Sequence, residues 1–312
     1  MGPRRVVLTD FALLPDALRG ERRSCTRRAG PITYYAKGSG TPVLLIHSIN
    51  AAASAYEVRP IWEAAPADWC VYAPDLPGFG HSDRSDRRYD RDLYVDAILD
   101  MLDEIEQRHG STPVSALALS LSCEFLARVA LRAPARLSAL ALVTPTGFQK
   151  GSSQLTGPAG GTREFRGVHR FVTLPVFRNV LWSALVSRLS MRYFLEKTFG
   201  SKAIDEGLLA YDYASAHQPG AQHAPFAFVS GRLFSADIRR VYEALELPIL
   251  MAQATKGDFA DFSEAHWVDS RPNWTRQSYP TGALVHFEQP EAFMAHLQDF
   301  STFRKGAAQP SA

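Results

Sequence analysis

The sequence predicts an α/β protein, with a mostly parallel central sheet flanked by helices and a helical cap inserted between two of its strands. Three observations carry this. Short apolar runs alternate with segments of helical spacing, which implies crossover connections and a parallel sheet. The alternation stops near residue 150 and resumes at Pro248. Between Val114 and Val129, an apolar run ends at Ser120 and passes directly into helical spacing, so a serine is thrust out of a tight strand-to-helix turn.

The elements follow in order. Ile32-Thr-Tyr-Tyr-Ala36 alternates like a half-buried strand and ends at the turn Lys37-Gly-Ser-Gly40. Val43–Ile46 is continuously apolar, as expected of a central parallel strand covered on both faces. Cys70–Ala73 is a further strand, followed by the loop Pro74–Ser82. Residues 91–107 carry apolar positions at helical intervals, and the strand and helix around Ser120 come next. Leu137–Val143 reads as another strand, closed by Thr144-Pro-Thr-Gly. Gly151–Gly161 is a Gly/Ser/Thr/Pro-rich loop, and residues 163–215 read as helices. Strands are predicted again at 248–252 and 275–279, with a last helix from Pro290 to Phe303. The predicted division is a leader at 1–30, a core at 31–150 and 231–306, a cap at 151–230 and a flexible tail at 307–312. In open α/β sheets a ligand lies beyond the carboxyl ends of the strands, where such an insert can roof a pocket.

A chain of 312 residues can bury a large core. Its net charge of +2 gives no pull toward nucleic acid. Three cysteines (Cys25, Cys70, Cys123), none in CxxC spacing, cannot close a disulfide framework and point to a reducing cytoplasm. Cys70 and Cys123 lie in apolar runs and read as buried. The Arg/Lys-dense residues 1–28 read as a loosely packed leader, and Asp10, Pro15 and Asp16 argue against a signal peptide. No window approaches the roughly 20 apolar residues that cross a bilayer.

Several segments together resemble the α/β-hydrolase fold, specifically its capped members, which include esterases, epoxide hydrolases, dehalogenases and carbon–carbon bond hydrolases. Pro42–Ser48 resembles the family's strand ending in His-Gly, and Asp75-Leu-Pro-Gly-Phe-Gly-His-Ser82 resembles a loop typical of it. Ala118-Leu-Ser120-Leu-Ser122 resembles the nucleophile elbow, with Ala118 and Ser122 in the two glycine places. Tyr279–Pro290 resembles the C-terminal segment that carries the catalytic histidine. The resemblance covers roughly residues 30–303.

The resemblance breaks at one position. The catalytic histidine should follow the glycine, and this chain has Gly282-Ala283, with His286 retained three residues later. A serine hydroxyl is a poor nucleophile until a base removes its proton, and Ala283 cannot do so. The resemblance makes Ser120 the nucleophile and Asp258 the acid, with Asp261 as a second candidate. It places the oxyanion hole at the N–H groups of Ile49 and Leu121, with His47 and Ser48 standing where the family has His-Gly. Asn50 could add a side-chain donor, although asparagine in a turn is more often turn chemistry.

His286 is the first candidate for a substitute base, followed by His169, His217 and His223 of the insert, then Lys256 and Tyr279. No metal site is expected, because HExxH, His/Cys clusters and paired carboxylates beside a histidine are all missing from the sequence. Neither GxGxxG nor a P-loop lysine occurs, so no cofactor is expected. In the insert, Phe165, Phe171, Leu174, Phe177, Val180, Leu181, Trp182, Leu185, Leu189, Tyr193, Phe194 and Phe199 alternate with six arginines (Arg163, Arg166, Arg170, Arg178, Arg188, Arg192). The favoured reading is a lid with its apolar face on the pocket and its arginines in water. A lid that touches a membrane is the less favoured reading. An aromatic-rich wall favours a small apolar or aromatic partner.

Three functions fit. The first is an enzyme binding a carbonyl- or ester-type ligand, whose chemistry (a lyase, isomerase or cyclase step, for example) does not run through a Ser-His-Asp relay. The second is a non-catalytic pseudo-hydrolase acting as receptor or carrier. The third is an esterase with a displaced histidine. Substrate and oligomeric state stay open.

Overall fold

The computed structural model describes residues 13–150, 157–165, 167, 168, 170 and 174–300, with the backbone alone at 175–177. Eight strands form one sheet in the order β1-β2-β4-β3-β5-β6-β7-β8. They are β1 (Glu21–Arg27), β2 (Gly30–Lys37), β3 (Thr41–Ile46), β4 (Trp69–Pro74), β5 (Val114–Leu119), β6 (Leu137–Val143), β7 (Ile249–Ala254) and β8 (Trp274–Tyr279). The pairs β1–β2 and β2–β4 are antiparallel, and every pairing from β4 to β8 is parallel. The apolar runs land where the sequence places them. Val43–Ile46 and Val114–Leu119 are buried throughout because helices cover both faces of a parallel sheet.

Helix α1 (Arg59–Glu63) follows a 3₁₀ turn at Ala55–Val58, and α2 (Arg91–His109) follows the loop after β4. Asp90 caps α2 by accepting from the Leu93 N–H. Helix α3 (Ser122–Arg132) leaves β5 after two residues. The insert contributes α4 (Pro175–Leu185), α5 (Arg188–Phe199), α6 (Glu206–Ala216) and α7 (His223–Val229). The chain then returns through α8 (Ile238–Glu243) to β7, and α9 (Val285–Glu288) and α10 (Pro290–Asp299) complete the described fold. Residues 301–303 of the expected last helix, most of the Gly151–Gly161 loop, leader residues 1–12 and the tail at 307–312 lie outside the described residues.

Two expectations need correction. Residues 14–30 are not a loose leader. Leu14, Ala17 and Leu18 are buried, the Ala17 N–H donates to the Tyr35 hydroxyl, and Glu21–Arg27 pairs with β2. Its charged sequence hid the strand because β1 is an edge. Only Cys25 is fully inward, and charged residues on an edge strand block further pairing.

The insert, expected to be a lid, does not turn its whole apolar set inward either. Phe165, Leu174, Val180, Leu181, Leu189, Tyr193 and Phe194 are exposed. The inward face consists of Val186, Met191 and Phe199, with Trp182 half-buried. Helices α4 and α5 form an outer layer, and only one side of that layer meets α6 and the core. Phe171, Arg166 and the Phe177 side chain are outside the described set. All three cysteines are buried free thiols. Among the described residues, no helix is long and apolar enough to cross a membrane.

Candidate functional site

Ser120 sits between β5 and α3 at a φ of 50°, a left-handed conformation that is uncommon outside glycine. The Ser120 N–H donates to the Val143 carbonyl at 2.9 Å, and its own carbonyl accepts from the Cys123 N–H at 3.1 Å. These bonds hold the strained turn, as expected where surrounding structure over-determines a sparsely populated backbone. Ala118 is fully buried, with β3 and β6 on either side at Ile46 and Leu142, so a small residue is required there. Ser122 is also fully buried, and its hydroxyl donates to the His47 carbonyl at 2.6 Å. The departure from glycine at 122 therefore adds a tie between the elbow and the loop that follows β3.

That loop is fastened at several points. His47 is buried and uses both ring nitrogens: Nδ1 lies 2.6 Å from the Ser48 carbonyl, and Nε2 accepts from the Leu76 N–H at 2.8 Å. Burial lowers its proton affinity, only partly offset by the Glu57 and Asp75 charges. Glu57, on the 3₁₀ turn, gathers three donors: the Ser48 N–H at 2.7 Å, the Ser48 hydroxyl at 3.0 Å and the Asn50 amide at 2.6 Å. Asn50 Oδ1 in turn accepts from the Ala52 N–H. Ser48 thus replaces a glycine with a side chain that binds a buried carboxylate. The N–H groups of Ile49 and Leu121 have no hydrogen-bond acceptor among the described residues.

The segments that the resemblance gives to the histidine and the acid are built differently. The Ala283 N–H donates to the Thr198 carbonyl at 2.7 Å, and the Ala283 carbonyl accepts from the Thr144 hydroxyl at 3.0 Å. Thr144 holds a φ of 44°, which is costly for a β-branched residue. At Gly282, a Cβ would come within 2.3 Å of the Thr198 carbonyl oxygen, so the end of α5 rests directly on this loop. Asp258 is an exposed residue whose carboxylate pairs with Lys197 of α5 at 3.1 Å. Asp261 is also exposed and accepts from the Lys150 and Ser263 N–H groups. Its pKa is held low, first by the Ser263 side chain and then by these N–H groups.

The remaining imidazoles are engaged elsewhere. His286 is fully buried, with Nε2 donating to the Glu57 carbonyl at 2.7 Å and Nδ1 lacking a partner. Burial pushes its pKa down to about 4. His217 Nδ1 donates to the Tyr213 carbonyl, and His223 lies 3.5 Å from Asp86. The Tyr279 hydroxyl bonds to His296, and Lys256 lies on the exposed stretch after β7. His169 is outside the described residues. Among the described residues, no imidazole is hydrogen-bonded to Ser120, and no group of three or more potential metal ligands occurs.

Sequence reasoning missed Glu57 and Asp212. Each had a signal. Glu57 is the only formally charged residue between Thr41 and Val58, and Asp212 is the only one between Gly207 and Ala216. A lone acid in an apolar stretch is either solvated or placed for a purpose, and both of these are buried.

Residues 41–288 match the family model for the alpha/beta hydrolase fold. A segment of 116 residues is 34% identical to 2-hydroxymuconate semialdehyde hydrolase of Pseudomonas sp. (strain CF600). That match spans 35% of this chain and 38% of the relative's length. A meta-cleavage product hydrolase from Pseudomonas fluorescens IP01 superposes with a TM-score of 0.69 at 19% identity, covering 91% of this chain and 98% of that one. The epoxide hydrolase CorEH superposes with a TM-score of 0.71 at 18% identity, covering 91% and 99%. At those identities the likeness is one of fold.

Proposed function

Because the chain belongs to the α/β-hydrolase fold family, we propose that it binds a small apolar or aromatic carbonyl- or ester-type molecule over Ser120 and acts on it without a Ser-His-Asp relay. In this reading the Ile49 and Leu121 amides polarise a carbonyl oxygen beside Ser120. Asn50 braces their loop through Glu57. The supporting observation is a serine held at a φ of 50° by backbone bonds to Val143 and Cys123, with no imidazole hydrogen-bonded to it among the described residues. A bare binding role would not need a serine held at a φ of 50°.

We assign no base role to His286, whose Nε2 bonds the Glu57 carbonyl, nor an orienting role to Asp258, which pairs with Lys197 at the surface. The similar proteins include a 2-hydroxymuconate semialdehyde hydrolase and a meta-cleavage product hydrolase, which supports a carbonyl substrate. Steps that need only an oxyanion pocket suit the equipment present.

The test is turnover of p-nitrophenyl acetate and of an aryl 1,5-diketone by wild type and Ser120→Ala. The proposal expects ester turnover near background and equal in the two proteins, with binding of aryl carbonyl compounds seen as a raised melting temperature. Fast ester turnover lost in Ser120→Ala would restore the displaced-histidine esterase. Binding without conversion of any carbonyl compound would favour a non-catalytic receptor or carrier.

A further inference from the structure

The cap presents one acid whose environment differs from every other carboxyl described. Asp212 lies midway along α6, on the helix face shared with Leu208, Leu209, Ser215 and Ala216, three or four residues away on either side. Leu209 and Ala216 pack with Ala52 from the loop after β3, together with Val186 and Met191 of the cap. Leu208 joins the main core, and the preceding Gly207 approaches Tyr56 so closely that a Cβ would lie 2.5 Å from its hydroxyl. Tyr56 and Tyr211 stack at 5.0 Å. Asp212 therefore faces the Ala52 loop and the 3₁₀ turn that carries Glu57. It is 5% exposed, and its Oδ1 is buried with no hydrogen-bond partner.

A buried carboxyl without a partner costs free energy, because its hydration is lost and nothing replaces it. The groups acting on it have the wrong sign to hold it ionised: Glu57 from the core and Asp205 from the start of its own helix both disfavour its charge. Burial acts in the same direction and more strongly. Glu57 already accepts three hydrogen bonds, so the two acids are not a vacant cation cage. What remains is a neutral acid with a donor to offer, next to the loop that carries the Ile49 amide.

We propose that Asp212 is the polar anchor of the ligand pocket, a neutral carboxylic acid that donates a hydrogen bond to a second oxygen of an uncharged aromatic carbonyl compound held between the cap and the Ile49–Ala52 loop. This rests on the pocket reading above and specifies the ligand further: two oxygen acceptors, one over Ser120 and one toward α6, and no negative charge at the second.

The experiment titrates the full-length protein with acetophenone, which has one carbonyl, and with 1-phenyl-1,3-butanedione, which has two, while the carboxylic-acid stretch is followed by infrared spectroscopy. The expected result is an acid band at neutral pH that is missing in Asp212→Asn and moves when the dione binds. The dione should bind about fivefold more tightly than acetophenone, the value of one neutral hydrogen bond. Asp212→Asn, which can still donate, should keep that preference, and Asp212→Leu should lose it. A band that stays fixed while the dione binds, or an unchanged preference in Asp212→Leu, overturns the anchor and leaves the pocket standing. Failure of both compounds to bind wild type overturns the pocket reading and the anchor with it.

Discussion

The two banks of the site have diverged. On the elbow bank, Ser122, His47, Ser48, Asn50 and Glu57 are tied into one network beside Ser120, and the serines at 48 and 122 each contribute a side-chain hydrogen bond to it. On the segment that the resemblance gives to the base, Ala283 bonds to Thr198 and Thr144 through its backbone alone, and the acid candidate Asp258 is exposed and paired with Lys197. Backbone strain sits where a hydroxyl and two free amides are presented, and no imidazole is hydrogen-bonded to that hydroxyl among the described residues. On the proposed reading, that pattern separates loss of a relay from loss of a site. A chain with no function at Ser120 would be expected to relax the costly turn.

The comparison is most easily broken at Glu57. Glu57→Ala would leave the N–H and the hydroxyl of Ser48 without their acceptor in a buried loop and take one of the two acceptors of the Asn50 amide, and should cost about 3 kcal/mol in urea unfolding. An effect below about 1 kcal/mol would show that the network does not hold the loop.

The pH dependence of stability comes next. The His286 pKa falls from 6.5 to about 4 on folding. Between those values the unfolded chain binds more protons, so stability is full above the unfolded pKa and declines as pH drops through the window. The expected loss from neutral pH to about pH 5 is about 2 kcal/mol, and His286→Gln should flatten this slope. Asp212 acts in the opposite sense: its proton affinity rises on folding, so its cost grows as pH rises above the ordinary carboxylate range. Asp212→Asn should therefore stabilise the protein at neutral pH and less so in acid, as read by thermal melts.

Ser122→Ala deletes one buried hydrogen bond and should cost about 1 kcal/mol, visible as a lower urea midpoint. Asp258→Ala removes an exposed ion pair and should change stability by less than about 0.5 kcal/mol. A large effect there, or any change in Ser120 reactivity, would place Asp258 back in a working relay.

Much of this was legible beforehand. The parallel strands read clearly because strands covered on both faces must be apolar throughout, as in Val43–Ile46 and Leu137–Val143. That residue 283 is an alanine was legible directly, while its reading as the place of a lost base rests on the resemblance alone. The edge strand Glu21–Arg27 was not, since an exposed edge selects charge and resembles a loose leader. The exposed aromatics of the insert also misled, because composition does not say which face of an outer helix meets the core. Glu57 and Asp212 escaped because burial of a lone acid depends on contacts between segments far apart in the chain.

The central claim concerns the reactivity of one hydroxyl, and labelling by a fluorophosphonate probe reads it directly. With no imidazole to take its proton, Ser120 should stay unlabelled in wild type under conditions that label a serine hydrolase completely, and Ala283→His should raise the rate. Rapid stoichiometric labelling of wild type, abolished by Ser120→Ala, would contradict the account.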